Sequence, residues 1–131
     1  MKNSKALKAL LLISGLIGAG IGGTILFMPA AFYAASGIEL GGNISLLNEI
    51  RASGGTLLAS GLLIMSGTFV VTLTFISTLV AALLYLSYGL SRLMSMAIDG
   101  MPDAGLTAAA ALEIVIGLVC VLALIKLRAN E

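Results

Sequence analysis

The chain of 131 residues is 60% hydrophobic and only 10% charged, with a mean hydropathy of +1.15, far from the roughly 25% charged residues of a soluble domain. Seven basic and six acidic residues leave a net charge of +1, which excludes the electrostatic footprint of a nucleic-acid binder and leaves membrane lipids, an amphiphilic small molecule, or a membrane-protein partner or second copy as the expected partners. With no histidine and one cysteine, the chain by itself builds no His-ligated haem, no Cys/His zinc or iron–sulfur centre and no Ser-His-Asp triad, so no metal and no cofactor is expected.

A transmembrane helix needs about 20 apolar residues, so the length accommodates four spans and little else: one all-α domain, 1–131, folded as an antiparallel bundle of four transmembrane helices. The first is expected over 7–28. Lys2, Lys5 and Lys8 precede it as in a secretory signal, but the apolar run exceeds the roughly 7–15 residues of a signal core, which predicts a retained helix. Pro29 lies near its end, where proline does least harm. GAGIGG at 18–23 superficially resembles a phosphate-binding turn; no strand precedes it and it falls mid-membrane, so that reading is rejected. Gly15, Gly18 and Gly22 instead make small-residue stripes suited to helix packing.

Gly37, Gly41, Gly42 and Asn43 read as a loop. After them Ile44, Leu47 and Ile50 recur at spacing three, which predicts a short amphipathic interfacial helix over 43–50. Glu49 and Arg51 then introduce an uncharged run from Ala52 to Ser91. As one helix that run is about 60 Å long, twice the hydrocarbon thickness, so it must fold back. Length alone puts the bend near Thr72–Thr74, giving spans over 52–72 and 75–98. Gly54 and Gly55 in the first of these are expected to admit a neighbouring helix or ligand. AspGlyMetProAsp at 99–103 is a turn, and the fourth span covers 104–126.

Basic residues orient the bundle. Lys2, Lys5, Lys8, Lys126 and Arg128 flank the termini, whereas Arg51 and Arg92 fall toward the opposite face. The positive-inside rule then places both termini in the cytoplasm, in a bacterial inner membrane. Glu39, Glu49, Asp99 and Asp103 fall in the outer loops and turns.

Two charges lie inside the membrane. Glu113 is about 13 Å into the fourth helix at 1.5 Å per residue, and Arg92 about 9 Å short of the end of the third. Ala109, Ala110, Ile116 and Gly117 share the face of Glu113, and their small size turns that face into the bundle. Tyr85, Tyr88, Gly89, Ser95 and Met96 share the face of Arg92. Shared depth predicts that Glu113 pairs with Arg92 or Arg51. The bland alternatives are that Arg92 snorkels to the outer headgroups with its tyrosines as an aromatic belt, and that Arg51 and Glu49 only anchor a helix start. Glu113 is harder to dismiss, since intramembrane acids are costly. Cys120, in an apolar run, reads as a small buried hydrophobe.

LLNEIRASGGTLLASGLLIM, LLYLSYGLSRLMSMAIDGMPDAGL and ALEIVIGLVC resemble successive blocks of the domain of unknown function 4345 family, small four-helix bacterial inner-membrane proteins broadly similar in architecture to DoxX-like proteins. Asn48, Glu49, Arg51, Gly54, Gly55, Tyr85, Arg92, Asp99, Gly100, Pro102 and Glu113 carry the resemblance. It implies a fold and a membrane, and no activity.

The functional expectation is a polar pocket in the outer half of the bundle, made by Arg51, Arg92 and Glu113 with Tyr85, Tyr88, Asn48 and Glu49, that binds a lipid- or quinone-like amphiphile. The chief rival is an accessory subunit of a larger membrane complex. A proton- or ion-coupled transporter ranks third, because no polar ladder reaches the cytoplasmic side. An enzyme ranks last: Glu113 and the tyrosines can move protons, but no nucleophile accompanies them.

Overall fold

The computed structural model describes residues 3–130; Lys2 and Glu131 lie outside them. Helix α1 covers Lys5–Phe27, α2 Pro29–Ala34, α3 Ile44–Phe69, α4 Thr74–Asp99 and α5 Ala104–Ala129. Four helices among the described residues are long and apolar enough to cross a membrane, so this is an all-α multi-pass membrane protein with an antiparallel bundle. The starts of three spans carry side-chain caps that satisfy otherwise orphaned amides. Ser4 Oγ accepts from Leu7 N at 3.4 Å, Asn43 Oδ1 from Leu46 N at 3.1 Å and Asp103 Oδ1 from Leu106 N at 3.3 Å.

The short interfacial helix expected over 43–50 is not a separate element. Helix α3 runs unbroken through it, because nothing between Asn48 and Ala52 interrupts a helix and Gly54 lies in a packing seam. At about 1.5 Å per residue its 26 residues exceed the hydrocarbon thickness, so the first two turns with Asn48, Glu49 and Arg51 stand at the rim opposite the chain termini. Pro29 does more than end α1. It occupies the first turn of α2, where its missing N–H is harmless.

The chain reverses between α3 and α4 at Val70–Leu73, a 3₁₀ turn after an extended Val70, without a turn glycine or proline. Branched Val70, Val71 and Thr72 are stiff in a helix, and hydroxyls hold the reversal together. Thr74 Oγ1 donates to Gly67 O at 3.2 Å, Ser77 Oγ to Leu63 O at 2.7 Å and Thr68 Oγ1 to Lys8 O at 3.2 Å. The α4–α5 turn uses Gly100 at φ 101°, a left-handed position that disfavours any side chain.

The helices associate as two pairs, α1 with α3 and α4 with α5. Glycines make the first seam: a Cβ on Gly61 would clash with the backbone of Ala19 and sit 2.8 Å from Gly15 O, and one on Gly22 would clash with Leu58 N and sit 2.7 Å from Gly54 O. Gly15 packs equally tightly on Met65 N, at 2.7 Å, and Gly18 faces Gly61 more loosely at 3.5 Å. Gly54 meets Leu26 N at 2.8 Å. Gly55, expected to pack with Gly54, has nothing within 4 Å; Gly61, two turns beyond Gly54, shares the face that meets α1, whereas Gly55 is rotated about 100° away from it. Gly89 against Ile114 and Gly117 against Leu86 make the second seam.

The pairs share a core in only one half of the bundle. Leu7, Leu11, Ile64, Ala81, Cys120 and Leu127 are all buried in the half that holds the termini, with Tyr85 at its limit. Helix α1 touches α4 and α5 over a short stretch, and no Cα of α3 comes within 8 Å of α5.

Candidate functional site

Gly89 sets the site. Its missing side chain lets Ile114 approach to 2.5 Å of where a Cβ would be, which brings the adjacent Glu113 beside Arg92, one turn beyond Gly89. Arg92 Nε donates to Glu113 Oε2 at 2.8 Å and Oε1 at 3.2 Å. The carboxylate is 14% exposed and the guanidinium side chain 31%, so the pair lies at the edge of the protein and its charges are mutually compensated. Among the described residues, Arg92 Nη1 and Nη2 have no hydrogen-bond acceptor, which leaves donors available. The Tyr88 ring lies 5.8 Å from Arg92 Cζ, within cation–π range.

The other expected members are placed elsewhere. Arg51 Nη1 donates to the carbonyl of Leu26, completing the last turn of α1, so Arg92 alone takes Glu113. Asn48 and Glu49 are exposed on α3, a helix that does not approach α5. Tyr85 is 5% exposed and its hydroxyl donates to Ser14 O on α1, tying the two pairs together instead of facing a ligand. Tyr85→Phe is therefore expected to lower stability by about 0.5–1.5 kcal/mol, as read by thermal unfolding in detergent.

Tyr33 is the residue that sequence reasoning missed. Burial and then the neighbouring Tyr88 raise its phenol pKa, with Arg92 pulling the other way. It thus stays a protonated hydrogen-bond donor near Arg92, delivered by α2. The only sequence signal was a tyrosine four residues after a proline able to start a helix. A cavity of about 310 Å³ opens at the end of α4–α5 away from the termini, lined by Arg92, Ser95, Met96, Asp99, Pro102 and Leu106 among others. Ser95 and Asp99 follow Arg92 along one face of α4, and Ser95 Oγ donates to Asp99 Oδ2 at 3.3 Å.

Four spans, the arginine–glutamate pair on the second helix pair and the glycine turn above it frame the comparison with known families. The family model described as Domain of unknown function (DUF4345) matches residues 6–124. The chain belongs to this family. The match reaches into all four membrane-spanning helices of this DUF4345 protein, stopping five residues short of the end of α5, and includes Arg92, Glu113 and the Gly100 turn. No match was found among curated proteins or among solved structures.

Proposed function

We propose that this DUF4345 protein holds the polar head of a lipid- or quinone-like amphiphile in the outer half of a bacterial inner membrane, with both termini in the cytoplasm. One observation carries the reading: Arg92 is compensated by Glu113 through Nε, keeps two terminal nitrogens without an acceptor among the described residues, and lines an open cavity of about 310 Å³. A planar guanidinium with unused donors is suited to a phosphate or a polarised carbonyl. Tyr88 and Tyr33 add an aromatic face and a hydroxyl donor nearby. Lys5, Lys8, Lys126 and Arg128 at one end, against Arg51 and Arg92 toward the other, support the orientation.

Native mass spectrometry of the protein extracted gently from its own membrane tests the proposal. A small mass is expected to remain bound and to be lost in Arg92→Gln, which removes both free guanidinium nitrogens. Co-purifying protein subunits with no small mass would overturn it in favour of an accessory subunit.

A further inference from the structure

We infer that the head group seated against Arg92 is zwitterionic, a phosphate diester carrying an ammonium arm, on a lipid of the outer leaflet. This rests on the amphiphile-binding reading above and adds the chemistry of the head.

The cavity is lined by one cation and one unpaired anion in a fixed order. Arg92, Ser95 and Asp99 succeed one another at spacings of three and four, so they share a face of α4, with Asp99 about 10 Å further along the axis than Arg92. Ser95 Oγ holds the Asp99 carboxylate at 3.3 Å. Arg92 already has Glu113 at 2.8 Å, whereas Asp99 has no cation within salt-bridge range among the described residues. Counting Arg92, Glu113 and Asp99, the site carries a net charge of minus one. A net-negative head group adds repulsion there, and a quinone leaves Asp99 unused. A zwitterion supplies what is missing at both ends: its phosphate accepts from Arg92 Nη1 and Nη2, and its ammonium meets Asp99.

Depth agrees with charge. In a bilayer leaflet the phosphate lies nearer the hydrocarbon and the ammonium arm nearer the water. On α4, Arg92 is the deeper residue and Asp99 the one at the outer end. Asp99 also occupies the last turn of α4, where the helix dipole disfavours an acid, so helix stability does not account for a carboxylate at that position. Met96 and Leu106 give the cavity apolar wall for the glycerol end of the lipid.

The test uses the purified full chain, stripped of lipid in mild detergent and offered equal amounts of phosphatidylethanolamine, phosphatidylglycerol and decylubiquinone before native mass spectrometry. Phosphatidylethanolamine is expected to be retained several-fold over phosphatidylglycerol. Asp99→Asn, which keeps shape and relieves the dipole clash, is expected to weaken phosphatidylethanolamine retention roughly tenfold, in line with losing one charged hydrogen bond. Equal retention of the two phospholipids, preference for the quinone, or an Asp99→Asn variant indistinguishable from the parent would overturn the zwitterion and leave amphiphile binding standing. Retention of none of the three would overturn amphiphile binding itself. Soluble phosphoethanolamine, added alone, is expected not to bind; its retention would overturn the lipid as source.

Discussion

Gly61→Ala is expected to destabilise the protein by about 3 kcal/mol or more, at the upper end of what overpacking does in a core, and Gly61→Leu to prevent folding. A Cβ at Gly61 meets the backbone of Ala19, and Gly15 O lies 2.8 Å away. Backbone has no rotamer into which to retreat, so the whole α1–α3 seam must open. Gly55→Ala is the control: on the same helix, it has open space around it, and alanine is the better helix former. It should be neutral or slightly stabilising. Unfolding of the three proteins in detergent, followed by circular dichroism, makes the comparison. Equal loss in the two alanine variants would show that the seam is not formed by direct backbone contact.

The second large effect concerns Arg92 and Glu113. Removing one partner of a fully buried pair costs about 3–5 kcal/mol. Arg92 is 31% exposed and Glu113 14%, so partial solvation reduces the expected loss for Glu113→Leu or Arg92→Leu to about 1–3 kcal/mol each. The double variant replaces both charges with apolar side chains at the membrane edge and should be less destabilised than the sum of the singles by about 1 kcal/mol or more. Additive losses would mean that the two side chains contribute independently and that the pair seen between α4 and α5 does not constrain them.

Much of this fold is legible from hydropathy and spacing because a bilayer demands long apolar helices with satisfied backbones. The four spans, the Gly100 turn and the common depth of Arg92 and Glu113 all follow from that demand. Depth along a helix, however, does not specify the partner. Arg51 was an equal candidate for Glu113 until α3 proved to be paired with α1, which turns Arg51 toward Leu26 O. Tyr85 shares a helical face with Arg92 in projection, yet two turns of difference in depth send its hydroxyl to Ser14 O in the core. The reversal at Val70–Leu73 lacks the usual breakers; its signal was the set of hydroxyls on Thr68, Thr74 and Ser77, whose acceptors lie on other turns and helices. Tyr33 was illegible for a related reason, since α2 is a short helix placed by the loop behind it.

The confinement of the shared core to one half of the bundle bears on how the molecule yields. Local opening has a free energy set by the packing that must be lost. Around Leu11, Ile64 and Cys120, which are fully buried, all four helices must part together. Around Arg92 and Glu113, which are 31% and 14% exposed, far less buried packing has to be lost. The protein is thus stiff in one leaflet and compliant in the other, and the compliant leaflet is the one into which Arg92 presents its unused donors.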